Sequence, residues 1–503
     1  MSRLVPPLEV EAELGQATEH LVAPRVPVAD AVVERLRSVC DVDVGERARA
    51  EVGRDWWPIT IGWATRGEVP ARPAVVARPS EPAQVGALLA ICHEARVPLT
   101  PTAGRSGVCG ASVPAFGGVS LDLCGIAGVV ECDTTSLQAT VLPGTFGPDL
   151  EEALRSQGTT LGHWPQSMDI STVGGWLACR GAGQYSTRYG KIEDMVVGLE
   201  VALADGSTIR TGTAAPRSAV GPDLTALFVG SEGTLGVITS ARLRLHRVPA
   251  TEARRAFWFG AFEDGLEACR QVLQRGATPA VLRLYDEVES ARNFSVEDRC
   301  VVVVLDEADP SLLGATMSIV EEEYAAAGAS VMDDAVVETW LAHRNDVSAL
   351  GPLYKGGIVV DTIEISARWS ELGPIYRAAV AALQATEGTL VASAHQSHSY
   401  TDGACLYFTF AGRMSESDGL SEAEWAQRYY VSAWDSVMDV VISHGGAVSH
   451  HHGIGLNRAR FMRRALGGGF EVLAAVKDAL DPRGILNPGK LGLRSPFGEI
   501  AWP

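Results

Sequence analysis

The stretch from Gly162 to Gly236 constrains this chain more than any other. It sets Gly174, Gly175, Gly181, Gly183, Gly190, Gly230, Gly233 and Gly236 among apolar residues without becoming low-complexity. Glycine is favoured where the backbone needs a positive φ or must pass very close to another group. Strand-like runs such as Val196–Leu203 flank these glycines. One reading is a ligand lying along the backbone and held by main-chain amides, as phosphates and flavins often are. The other is a set of tight turns in a β-rich core.

Upstream, Ala74–Arg78 reads as a strand, Pro82–Arg96 as a helix capped by Ser80 or Glu81, and Val97–Thr100 as the next strand. The loop PTAGRSGVCG, Pro101–Gly110, follows directly and leads to a strand at Val119–Leu123. It therefore sits at a strand's carboxyl end, where α/β folds place ligands. It is not G-x-G-x-x-G and no long helix follows it, so the ordinary dinucleotide fingerprint is a poor match. Val129–Cys132 and Ala139–Leu142 read as a hairpin, and Asp149–Gln157 as a short helix.

At 503 residues the chain is too long for one ordinary core. The pattern divides it into a helical and aromatic lead-in (1–70), a glycine-rich domain (71–248), a second domain (249–440) and a C-terminal segment (441–503). The second domain alternates strand and helix patterns in two rounds, Ala256–Asp334 and Asp361–Phe410. That predicts an antiparallel sheet with helices on one face, built as two half-domains, and an overall α+β class. The last segment places the long helix Trp425–His444 before GGAVSHHHGIG, Gly445–Gly455, and the helix Phe470–Asp481 before DPRGILNPGK, Asp481–Lys490.

A net charge of -19 leaves no footprint for nucleic acid or for an anionic membrane surface. Local arginines can still serve an anionic substrate. Nine cysteines without a C-x-x-C pair suit free thiols in a reducing compartment. The start, MSRLVPPLEVEAELGQ, has no basic region followed by an apolar one. No run approaches the ~18 apolar residues of a spanning helix. The expectation is a cytoplasmic protein.

His450, His451 and His452 carry chemistry under three readings: acid/base or anion binding, a satisfied core cluster, or a metal site. In an extended segment His450 and His452 point one way and His451 the other. Adjacency is poor spacing for one metal, and no Cys or carboxylate lies beside them. No metal is therefore expected. Arg283, in VLRLYD, suits a phosphate or carboxylate, or a salt bridge with Asp286 or Glu287.

PTAGRSGVCG, DISTVGGWLACRGAGQYSTRYGKIEDMVVGLEV and GSEGTLGVIT resemble the flavin-binding (PCMH-type) domain of the vanillyl-alcohol oxidase and p-cresol methylhydroxylase family. STVGGW, Arg180, YGKIED, DGACLYF and SHHHGIG are most similar to its alkylglycerone-phosphate synthase branch. ILNPGK is closer to the glycolate-oxidase and D-lactate-dehydrogenase relatives. The resemblance spans about residues 74 to 490 and implies a two-subdomain FAD-binding domain with an α+β cap domain.

It also implies FAD, and since the loop lacks the histidine through which some relatives tether the flavin, non-covalent FAD is expected. Pro101, Thr102, Ala103, Gly104, Arg105, Ser106, Gly107 and Gly110 would cradle the pyrophosphate. Pro165, Ser167, Asp169, Ser171, Thr172, Gly174, Gly175, Trp176, Arg180, Gly183 and Tyr185 would lie along the rest of the cofactor. Glu232, Gly233, Gly236, Val237 and Ile238 would do the same. Arg105 departs from the family's run of three glycines and needs a backbone conformation that tolerates a side chain.

Tyr407 matches the family's acid/base tyrosine, assisted by His450, His451 and His452, and Arg283 matches an active-site arginine. A phenol needs cationic or imidazole neighbours to act as a base at neutral pH. The synthase branch has arginine where His395 falls and glutamine where His398 falls. A further arginine expected before Asp361–Ile365 has no clean counterpart. Arg344 is nearest but is separated by an apparent insertion at Ser348–Gly357, and it stays outside the expected site. The implied reaction exchanges acyl for alkyl on an acyl-dihydroxyacetone phosphate without net redox change, with flavin N5 as covalent partner. The alternative is oxidation of a 2-hydroxy acid or alcohol. The implied substrate is small or lipid-like and anionic; peripheral membrane contact stays open, and a homodimer is the assembly the family suggests.

Overall fold

The computed structural model describes residues 13–346, 350–415 and 419–502. The leader reading over residues 1–12 and the start of the insertion at Ser348 lie outside the described residues.

The first sheet contains the expected strand–helix–strand unit. Val75–Arg78 and Leu99–Thr102 flank Val119–Asp122 in parallel, and helix Pro82–Ala95 connects the outer pair. Glu81 is the cap residue: its backbone N–H donates to Gln84 Oε1 at 3.1 Å. The lead-in adds a fourth strand, Asp41–Asp43, antiparallel to Val75–Arg78. It also buries Trp57 and Trp63 in the large core, where Trp57 Nε1 donates to Tyr430 Oη at 3.1 Å. The second sheet is antiparallel, in the order Thr208–Arg210, Val196–Ala202, Val237–Arg244, Gln138–Val141, Val129–Asp133. The loop Pro101–Gly110 falls between two strands of the first sheet, and the stretch Gly162–Gly236 lies in sequence between Gln138–Val141 and Val237–Arg244 of the second.

The third sheet has seven antiparallel strands in two groups, which is the two-round pattern the sequence predicts. Thr251–Phe259, Val281–Tyr285, Cys300–Ala308 and Ser330–Met332 form one group; Ile358–Arg368, Thr389–Ser399 and Gly403–Arg413 form the other. They join where Val281–Tyr285 pairs with Thr389–Ser399. Helices Phe262–Gln274, Pro310–Ala326, Trp369–Ala385 and Glu422–Ser443 contribute their apolar faces to the core beneath the sheet. Among the described residues, no helix is long and apolar enough to cross a membrane.

Candidate active site

The seam between the two groups of strands is where the polar residues collect. Tyr285 pairs with His395, His395 with Tyr407, and Tyr407 with Glu364, so one row crosses four strands. Residues opposite one another in an antiparallel pair share a face, and Arg283, two residues before Tyr285, shares it too. The register shifts between Ser397 and Ser399, with His398 at φ 51°. A bulge of this kind re-aims a side chain, and the His398 ring comes to rest 5.0 Å from that of His450 and 4.7 Å from that of His451.

Glu364 holds the histidine segment over this row. Its carboxylate accepts from the Ser449 hydroxyl at 2.8 Å, from the His452 backbone N–H at 2.8 Å and from the His450 backbone N–H. Arg458 Nη1 lies 3.0 Å from it, and neither side chain reaches solvent. Burial alone would raise the Glu364 carboxyl, but the Arg458 charge holds it far below the usual carboxylate range. Glu232 also anchors the segment further along, accepting from Ile454 N–H at 2.5 Å and Gly455 N–H at 2.9 Å, and burial pushes its carboxyl up. The segment is consequently bent and not extended, and the predicted alternation of the three histidines fails. Instead His450 and His451 bring their Nδ1 atoms to 2.8 Å.

The side chains then line up. Tyr407 Oη lies 2.7 Å from His451 Nε2, and Tyr400 Oη 2.8 Å from His450 Nε2. His395 stacks on Tyr407 with ring centroids 4.6 Å apart. Arg283 Nη2 donates to His395 Nε2 at 2.7 Å, which puts the His395 proton on Nδ1, where it donates to Glu289 Oε2 at 2.7 Å. Arg283 is thus partnered by His395 and not by Asp286 or Glu287. Burial pushes His450 and His451 down to about 3 and His452 to about 4. It pushes the Tyr407 phenol well above its usual value, with the Glu364 charge adding to the rise. The histidines therefore face Tyr407 as neutral imidazoles and not as the cations that would lower it.

Arg344 is not in the expected site, yet the fold brings it there. Its guanidinium lies 5.5 Å from the Trp340 ring centroid, and that of Arg283 lies 5.6 Å from the same ring. Arg283 Nε and Arg344 Nη1 are buried without a hydrogen-bond partner. His163 is a second residue that motif reading passed over. It is 1% exposed, both ring nitrogens are unpartnered, and burial lowers it to about 3. Its neighbour Trp164 stands in the glycine-dense stretch, so only its position between Gly162 and Pro165 could have marked it.

The glycine loops converge tightly. A Cβ on Gly104 would run into the Ile170 carbonyl, one on Gly233 into Pro101, and one on Gly183 into the Trp164 backbone. Close approach, more than turn geometry, is what these positions need.

Residues 73–212 match the FAD binding domain, and residues 248–491 match the C-terminal domain of FAD linked oxidases. The chain belongs to the FAD-linked oxidase family. Alkyldihydroxyacetonephosphate synthase of Dictyostelium discoideum is 29% identical, over 84% of this chain and 74% of that one. The FAD-linked oxidoreductase YgcU of Escherichia coli (strain K12) is 30% identical, over 83% of this chain and 89% of that one. A solved alkyldihydroxyacetonephosphate synthase superposes with a TM-score of 0.76 at 24% identity, covering 97% of this chain and 91% of that chain. FAD is the cofactor, and the PCMH-type fold of the resemblance stands.

The residues present fit that cofactor. Thr102 Oγ1, Arg105 Nε and Nη2, both His163 nitrogens and the Asn457 side-chain amide are buried polar atoms that make no hydrogen bond. Arg105 takes φ 54°, the left-handed conformation its position requires, and buries its side chain 3.6 Å from Glu51. Ala103, Ser106, Gly107 and Gly110 continue that loop, with Gly110 at φ 77° packed on Trp57.

Other expected cofactor residues have their side chains engaged within the protein. Trp176 Nε1 donates to Ser171 Oγ at 2.7 Å, Thr172 Oγ1 accepts from Gly175 N–H at 3.4 Å, and Arg180 reaches outward to Glu193 at 3.1 Å. Val237 and Ile238 point into apolar cores, while Tyr185 packs under Arg344. Asp169 is exposed, Pro165 and Ser167 are half-buried, and Gly174 abuts Pro143 as Gly236 abuts Val201. Cys405 places its sulfur within 4.8 Å of donors from His450 and His451. Burial holds that thiol protonated, and all four imidazole nitrogens are already hydrogen-bonded.

Proposed function

We propose that this enzyme catalyses an alkylglycerone-phosphate-synthase-like exchange, replacing the acyl group of an acyl-dihydroxyacetone phosphate by a long-chain alkyl group. The observation that carries this reading is the Tyr407–His451 pair, 2.7 Å apart, beside two arginines with free donors. FAD, when bound, supplies a flavin N5 that can act either as a partner for the substrate carbon or as a hydride acceptor. The chain's own residues do the rest. Tyr407 moves the substrate proton, and His451 takes the phenol's hydrogen bond. Arg283 and Arg344 bind the anionic end, each through a donor left open in the buried site. His395 holds Arg283 in place without adding charge. The relatives named above support the branch.

A second reading keeps the same pocket for oxidation of a 2-hydroxy acid, with the arginines on the carboxylate. His395 favours it, since a neutral imidazole stands where the synthase branch has a fixed charge. Anaerobic absorbance of the holoenzyme decides between them. Bleaching of the flavin band by a 2-hydroxy acid establishes the second reading. An unreduced flavin together with conversion of palmitoyl-dihydroxyacetone phosphate and labelled hexadecanol into an ether product establishes the first.

A further inference from the structure

We infer that Tyr400 is a relay residue, carrying the proton of Tyr407 through His451 and His450 to the rim of the site. This rests on the acid/base reading of Tyr407 given above. The contacts form an unbroken series: Tyr407 Oη to His451 Nε2 at 2.7 Å, His451 Nδ1 to His450 Nδ1 at 2.8 Å, and His450 Nε2 to Tyr400 Oη at 2.8 Å. Each imidazole uses one nitrogen on each side, so all three bonds are satisfied when every member donates in the same sense, and the outward sense is the one that starts the relay. Tyr407 donates, His451 donates from Nδ1, and His450 donates from Nε2 to Tyr400.

Beyond Tyr400 a branch fixes its hydroxyl. Ser186 Oγ lies 3.4 Å from Tyr400 Oη and 2.8 Å from His398 Nδ1. Tyr400 is the half-buried end of the series, with Lys191 Nζ 4.5 Å above its ring and the Lys191 side chain 27% exposed.

The series answers a difficulty in the site. A buried phenol is hard to ionise, and imidazoles this deeply buried are hard to charge. Neither a standing phenolate nor a standing imidazolium suits the pocket. A concerted shift needs neither. As Tyr407 takes a proton from the substrate, its own hydroxyl proton passes to His451 Nε2. The Nδ1 proton of His451 passes to His450 Nδ1, and the Nε2 proton of His450 passes to Tyr400, which releases its own to water at the rim. One proton enters, one leaves, and every member is neutral before and after. The groups facing the series are Glu364 beneath the histidine backbone, Arg458 on Glu364, Cys405, Arg283 through His395, His398, and Lys191 with its partner Asp194.

The test compares Tyr400→Phe with Tyr407→Phe in the FAD-loaded enzyme, using whichever of the two assays above gives turnover. Tyr400→Phe keeps the Tyr407–His451 contact and removes only the last hydroxyl. Expected are a fall in kcat on the order of 10²-fold, the range of a lost proton-transfer partner, and unchanged KM and flavin content. Imidazole added to the buffer restores the rate of Tyr400→Phe in a saturable way and does not restore Tyr407→Phe. Ser186→Ala serves as the second variant should Tyr400→Phe lose its flavin, with a smaller loss and the same rescue expected.

A Tyr400→Phe enzyme with the original kcat, or with a loss that imidazole does not lift, overturns the relay while leaving Tyr407 in its role. A Tyr407→Phe enzyme with full activity removes the acid/base reading, and the relay with it.

Discussion

A carboxylate buried among apolar strand residues is tolerated only where its charge is met, and Glu364 is met by Arg458 and three backbone or hydroxyl donors. Removing one member of such a pair leaves the other uncompensated, at a cost of about 3–5 kcal/mol. Glu364→Gln keeps the shape and removes the charge, so urea unfolding of the variant is expected to fall by an amount in that range. A loss under about 1 kcal/mol, the scale of an exposed pair, contradicts the clamp. Arg283→Lys tests the other buried cation. A lysine cannot hold His395 and an anion with one planar fork, and the expected result is a KM for the anionic substrate raised on the order of 10-fold with kcat little changed. Tyr407, Arg283 and the three histidines were legible because each stands in a short motif. Glu364 was not, although two acidic residues, Asp361 and Glu364, inside the strand VVDTIEIS are a signal. Its partner Arg458 lies 94 residues away, and nothing local links them. The same holds for Glu289 and His395, which only sheet pairing brings together.

The long elements followed from their periodicity. Helix Glu422–Ser443 lies within three residues of its expected ends, and all seven strands of the large sheet coincide with apolar runs in the sequence. Helix Val173–Cys179 was missed because two of its seven residues are adjacent glycines, poor helix formers. Thr172 at its N-terminus and the buried Trp176 and Leu177 hold it instead. Strand order was equally hidden, since the seam at Leu284–Gln396 joins segments 112 residues apart with no repeat between them (396 − 284). The glycine loops were legible as close-packed segments, and that is a testable property of the element. Gly104→Ala places a methyl against the Ile170 carbonyl and must displace one loop from the other. Purified Gly104→Ala is expected to carry less FAD per chain than the parent, read from the ratio of flavin to protein absorbance. Full flavin occupancy contradicts the loop packing.

Across the whole molecule the buried histidines pull stability in one direction, and the buried carboxyls of Asp55, Asp286 and Asp361, pushed up by burial to about 7, 7 and 6, pull it in the other. His163, His450, His451 and His452 are held by burial at about 3, 3, 3 and 4, against about 6.5 in an unfolded chain. At these histidines the unfolded chain therefore binds more protons than the folded one between pH 6.5 and those values, and their contribution to stability rises with pH across that window. Each imidazole contributes a slope of up to about 1.4 kcal/mol per pH unit there. Glu364 adds to the same trend lower down. Its depressed carboxyl contributes stability that is fully present above about pH 4.3, the unfolded value, and is lost as pH falls further. Between pH 6.5 and 4 the thermal unfolding of the holoenzyme therefore carries a loss from each of these imidazoles as pH falls, set against a gain from the three aspartates. Replacing His163 by Phe, which fills the same buried space with no ring nitrogen to protonate, is expected to reduce that loss. A pH dependence of melting that is the same in the parent and in the His163→Phe variant would mean that water reaches this imidazole and that burial does not hold it neutral.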